Sequence, residues 1–143
     1  MSFGRAGAVR AFCEAIRRKD TAALRAVIGE RFATDAVMVW PESLPHGGTV
    51  VGADKLAKVS GGLASPSAPM GLAGLELVDV VDGGDRLAAR VEFDWCVLVN
   101  GFKESIAISA LQLWTFDGYP VREARAYNWD AAALSRLSQK VSA

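Results

Sequence analysis

Between positions 87 and 97 every second residue is apolar: Leu87, Ala89, Val91, Phe93, Trp95 and Val97, with Arg90, Glu92 and Asp94 among the residues between them. Successive side chains of a strand point to opposite faces, so this stretch reads as a strand with one dry face and one wet face. Three junctions extend the constraint to its neighbours. Asp82-Gly83-Gly84-Asp85, Asn100-Gly101 and Asp117-Gly118 are hairpin signals, because glycine takes the positive φ that primed turns need. They divide the second half of the chain into strands over 75–81, 87–99, 105–116 and 121–129, predicted to pair antiparallel in sequence order. The strand SIAISALQLWTF is apolar on both faces, with Ile106, Ile108, Trp114 and Phe116 on one and Leu111 and Leu113 on the other. A strand buried on both sides packs against a second layer. Leu111 and Leu113 therefore predict a partner subunit, and with it a homodimer.

The first half reads as helical. Val9, Phe12, Cys13 and Ile16 have the spacing of an amphipathic helix. Asp20 and Thr21 break it and cap a second helix carrying Leu24, Val27, Ile28 and Phe32. A short β-branched run over 36–40 is stopped by Pro41 and predicts the first strand. Positions 42–52 read as a loop, and a third helix runs from 53 to about 61, ending at Gly61-Gly62. The segment GGLASPSAPMGLAG over 61–74 reads as a connection. Ordered, it would bring Met70 and Leu72 over a pocket mouth; otherwise it is a surface loop. A last helix spans 131–141 with Asp130 as its N-cap. The class is α+β, and residues 1–143 are expected to form one domain.

Composition excludes several partners. Lys plus Arg equals Asp plus Glu at 16 each, so no basic field awaits nucleic acid. The cluster Arg17-Arg18-Lys19 closes a predicted helix, where cations complement the dipole. No apolar run reaches the ~20 residues that span a bilayer, and the N-terminus lacks the apolar core of a signal peptide. A cytoplasmic protein is expected. Cys13 and Cys96 read as buried reduced thiols, without metal-ligand spacing. His46 is the only histidine, so no metal site is expected.

Three segments, AIRRKDTAALRAVI followed by FATDAVMVWP, then PHGGTVVGADKL, then WTFDGYPVREARAYNWD, resemble in order and spacing the nuclear transport factor 2-like superfamily. Within it the chain is most similar to the SnoaL-like branch, related to polyketide cyclases, ketosteroid isomerases and limonene epoxide hydrolases. The resemblance implies a conical barrel, in which a curved, mainly antiparallel sheet wraps around N-terminal helices. It also implies dimers formed through the outer sheet face, and a ligand held between sheet and helices. The isomerase residues do not carry over. The family's tyrosine position falls on Phe12, its carboxylate base on Trp40 and its protonated aspartate on Gln112, so isomerisation by that mechanism is not expected. The epoxide hydrolase positions fall on Val91, Phe93 and Tyr127. Arg90, Glu92 and Asp94 have the parity of a solvated face.

Inward parity then predicts a pocket of Trp40, Phe93, Trp95, Gln112, Trp114 and Tyr127, with Phe12 from the first helix. Such a wall suits an aromatic or polycyclic ligand. The Gln112 amide needs a partner there, either a ligand or Tyr127 or the backbone. His46 is either an exposed turn histidine or an acid or base at the cone mouth. Asp130 either caps a helix or, by the resemblance, serves as acid or base. Two functions fit these residues. One is a cofactor-independent isomerase, cyclase or hydrolase of a small apolar or polyketide-like substrate, with His46, Tyr127 and Asp130 as catalytic candidates and a pH profile set by a histidine near its reference pKa of about 6.5. The other is a non-catalytic ligand-binding or dimerisation module with the same pocket.

Overall fold

The computed structural model describes residues 4–65 and 68–142. Its elements are α1 (Arg5–Arg17), α2 (Thr21–Arg31), β1 (Phe32–Trp40), β2 (Gly48–Val51), α3 (Ala53–Ala64), β3 (Met70–Asp82), β4 (Arg86–Val99), β5 (Phe102–Phe116), β6 (Val121–Asn128) and α4 (Ala131–Ser142). Local chemistry explains several boundaries. The Asp20 carboxylate accepts the Ala23 N–H at 3.0 Å and so caps α2. Asn100 and Gly101 both have positive φ, 52° and 81°, the backbone of a type I′ hairpin turn.

One mixed sheet carries the six strands in the order β2-β1-β6-β5-β4-β3. From β3 to β6 the strands pair antiparallel in sequence order, as the turns predict. The first strand departs from that pattern: β1 lies parallel to β6, with Val39 opposite Arg125, and its other edge pairs antiparallel with β2. Helices α1 and α3 pack on one face of this sheet and α4 on β4 and β5. The odd residues of β4 point inward as expected, Leu87, Ala89, Val91, Trp95 and Val97 being buried, while Arg90, Glu92 and Asp94 are exposed.

Four local expectations are corrected. Phe32 belongs to β1 and not to α2, because it is extended and pairs with Val121. Residues 48–51 are a strand, given an edge partner by β1. Helix α3 runs through Gly61 and Gly62 to Ala64. Glycine costs a helix interior about 1 kcal/mol, but Leu56, Ser60 and Ala64 lie four apart and are buried on one side, and that packing prevails. The 61–74 segment is therefore the end of α3 and the start of β3, with 66–67 outside the described residues. Cys96 is half-buried, and only Cys13 is enclosed, its thiol pushed up to about 12 by burial. Among the described residues no helix is long and apolar enough to cross a membrane, and no group of three or more His, Cys, Asp or Glu could hold a metal.

The core has two parts. The larger lies between α1, α2, α3 and the sheet, around Phe12, Phe32 and Trp114. Their rings meet at 5.3 to 5.8 Å between centroids, with Trp114 edge-on to both phenylalanines. The smaller joins Trp95, Val97 and Ile108 to Leu44 and to Leu134 and Leu137 of α4. Trp114 is fully buried, so Trp114→Ala should cost about 3–5 kcal/mol, read as a lower urea midpoint at unchanged slope.

Candidate functional site

Where the two cores meet, the concave face is incompletely filled and leaves a cavity of ≈ 60 Å³. Its walls are Phe12 and Ile16 of α1, Met38 and Trp40 of β1, and Ser60 and Leu63 of α3. The sheet contributes Leu72, Leu75, Phe93, Trp95 and Ala110, the polar pair Gln112 and Asn128, and Ala126; His46 comes from the β1–β2 loop. No side chain that is charged at neutral pH is among them.

His46 reaches the cavity because its loop is tightly folded. The Leu44 N–H donates to Pro41 O at 3.1 Å and the Gly47 N–H to Leu44 O at 2.9 Å. The Leu44 side chain is buried against Trp95 and α4. At Gly47 a Cβ would overlap the Pro41 carbonyl oxygen, so the turn admits no side chain there. The imidazole consequently lies between two indoles, 5.3 Å from Trp40 and 5.2 Å from Trp95 between ring centroids. Its Nδ1 is buried with no hydrogen-bond partner. Burial pushes its pKa down to about 4, so the ring is neutral at pH 7.

The other polar groups are held by the strands. Trp95 donates Nε1–H to Ser138 Oγ at 2.8 Å, and that hydroxyl donates onward to Leu134 O at 2.9 Å. This fixes the indole to α4 and leaves its ring to wall the cavity. Trp114 donates Nε1–H to Gln112 Oε1 at 3.1 Å. An indole nitrogen only donates, so this bond sets the amide orientation and leaves the Gln112 NH₂ as the available donor. Asn128 ends β6, and its Oδ1 is buried without a partner.

Of the residues expected in the pocket, Phe12, Trp40, Phe93, Trp95 and Gln112 line the cavity, as does His46. Trp114 does not; it lies behind Phe12 in the larger core and positions Gln112. Tyr127 is on the opposite face and 52% exposed. The register of β5 against β6 shifts between Thr115 and Phe116, and a one-residue slip exchanges the two faces of a strand. Ala124, Ala126 and Asn128 therefore share the inward parity, while Tyr127 takes the outer one with Glu123 and Arg125. Asp130 is exposed, has φ 56°, and accepts the Ala133 N–H at 3.3 Å as the cap of α4. It does not line the cavity. Among the lining residues the sequence did not point to are the polar Ser60 and Asn128; Asn128 is the one of them left with an unpartnered atom. The alternation of Ala124 and Ala126 with Glu123, Arg125 and Tyr127 would have signalled it.

No protein-family model matches the sequence, and no curated protein is similar to it. Solved structures are. An NTF2-like protein from Burkholderia thailandensis has a TM-score of 0.72 at 16% identity, over 96% of this chain and 97% of that one. A candidate SnoaL-like polyketide cyclase from Jannaschia sp. gives 0.68 at 15% identity, over 100% and 96%. TerC, co-crystallised with polyporic acid, gives 0.67 at 19% identity, over 94% and 97%. The chain has the NTF2-like fold, the cone expected from its sequence.

The neutral His46 makes stability depend on pH. Its folded pKa, about 4, lies below the unfolded value of about 6.5. The contribution is fully present above pH 6.5 and is lost as pH falls through 4. The difference corresponds to at most about 3 kcal/mol. The His46 resonances should titrate near pH 4 by NMR, and His46→Gln should flatten the stability profile between those limits relative to wild type.

Proposed function

We propose that this NTF2-like chain is a small-molecule binding protein whose cone holds a compact, largely apolar ligand without a cofactor. The observation that carries this reading is the wall of aromatic and aliphatic side chains, with only uncharged polar groups set into it. Such a lining is the common form of a ligand site. The fold neighbour TerC, crystallised with polyporic acid, supports a small-molecule role.

Size narrows the ligand. A cavity that binds benzene has about 150 Å³, whereas this one has ≈ 60 Å³. A single ring enters if Met38, Leu63 or the His46 loop yields, and a fused polycycle requires repacking of the core. Of the aromatic or polycyclic ligands expected from the tryptophans, the volume therefore favours the smaller, single-ring ones.

One observation favours a catalytic reading as well: His46 lines the cavity, and its buried Nδ1 has no hydrogen-bond partner. On that reading the chain is a cofactor-independent isomerase, cyclase or hydrolase, and His46 is the one lining residue whose protonation changes between pH 5 and 8 when unperturbed. With its pKa near 4 it acts as a hydrogen-bonding group or a weak base, so turnover would be level above about pH 5 rather than follow the histidine reference value.

Tryptophan fluorescence tests the binding reading. Trp129 is 79% exposed and lies outside the cavity, so Trp129→Phe removes its background. Single-ring aromatics should then quench Trp40 and Trp95 saturably, and Trp40→Ala should weaken binding by about tenfold. Steroids should bind more weakly than single rings. Absence of saturable quenching by any compact aromatic would refute the proposal.

We also propose that a second copy of the chain covers the outer sheet face. Leu111 and Tyr127 are opposed across β5 and β6 and are 47% and 52% exposed. Together with Trp129 they form an apolar centre flanked by Arg90, Glu92 and Asp94. A stable interface buries ~800 Å² per partner. Sedimentation should give a dimer at micromolar concentration and a monomer for Leu111→Glu; a monomeric wild type would dismiss the interface.

A further inference from the structure

Two polar atoms of the cavity are buried and unpartnered, His46 Nδ1 and Asn128 Oδ1. Buried polar atoms are satisfied in most proteins, and an exception calls for a missing partner. Both side chains line one cavity of ≈ 60 Å³, so a ligand seated there packs against both residues. Gln112 adds an NH₂ two positions along β5 from Ala110, the residue opposite Asn128.

We propose that these atoms recognise the hydroxyl of a neutral aromatic alcohol, a phenol, whose ring lies against Trp40, Phe93 and Trp95. This rests on the binding function proposed above and names its ligand class. The Asn128 carbonyl accepts the hydroxyl hydrogen. The hydroxyl oxygen in turn accepts from the imidazole in the tautomer whose Nδ1 carries the proton, and its second lone pair can accept from the Gln112 NH₂. Other head groups fit less well. A carboxylate brings acceptors and a charge where no cation lines the cavity, and an ammonium brings a charge with no carboxylate to meet it. An ether or a methyl group leaves Asn128 Oδ1 unpaired. The tryptophan faces and the Phe93 ring favour a flat aromatic body over an aliphatic one.

Calorimetric titration of the wild-type protein with phenol, anisole, toluene and benzoate separates these cases without any substitution. Phenol should bind about 10-fold or more tighter than toluene and anisole, from two neutral hydrogen bonds, and benzoate should bind weakest. 4-Nitrophenol ionises near neutral pH and absorbs visibly only as the phenolate. Binding should bleach that absorption, with affinity falling tenfold per pH unit above the ligand's own ionisation. In Asn128→Leu the ratio of phenol to toluene affinity should fall towards one. Equal binding of toluene and phenol, or a bound nitrophenol that keeps its phenolate colour, would overturn the phenol assignment and leave the pocket standing. Failure of toluene and phenol alike would remove the binding function itself, and this assignment with it.

Discussion

The concave face of the sheet is longer than any one helix can cover, and the architecture follows from that mismatch. Strands β4 and β5 have 14 and 15 residues, which at ~3.3 Å per residue is about 46 and 50 Å of chain. Helix α1 has 13 residues, about 20 Å. It covers one end of the face and α4 the other, so two cores form instead of one. Trp40, Leu72 and Phe93 flank both, and the cavity is the seam between them. Each core is anchored by a tryptophan whose indole N–H is satisfied, Trp114 by Gln112 and Trp95 by Ser138. The first of these bonds orients the Gln112 amide and the second holds the Trp95 ring that walls the cavity.

Charge is kept outside this seam. The ion pairs Arg17–Glu14, Arg125–Glu123 and Lys140–Glu104 join half-exposed side chains, and such pairs contribute little to stability. The interior works instead through neutral groups whose hydrogen bonds are strengthened by the absence of water. A ligand without charge loses little hydration on entering, whereas an ion would lose much of its own and find no counter-ion.

What could be read from the chain was whatever depends on near neighbours. The alternation of β4, the glycine turns, and the aspartates that cap α2 and α4 are properties of a few adjacent residues, and they fixed most of the element order and the inward faces of Phe93, Trp95 and Gln112. The features that escaped depend on distant partners. Phe32 is extended because Val121 is beside it, β2 exists because β1 offers an edge, and α3 continues through two glycines because its Leu56 face is buried. Tyr127 faces outward because of a register shift near Phe116, which breaks the parity counted from Val121 and shows in the sequence only as the alternation of Ala124 and Ala126 with charged neighbours. His46 could be recognised as the only histidine, but its burial depends on Leu44 and on the bare turn at Gly47.

The parallel pairing of β1 with β6 has a consequence for biosynthesis. A ribosome releases β1 early, yet its longer edge has no neighbour until Val121–Asn128 has emerged. In the interval β2, four residues long, is the only strand on its other side. Until β6 emerges the nascent chain therefore carries an open, largely apolar strand edge, the form of surface on which unfinished chains associate. The walls of the cavity include residues of both α1 and β6, so the cavity is complete only once β6 has joined the sheet.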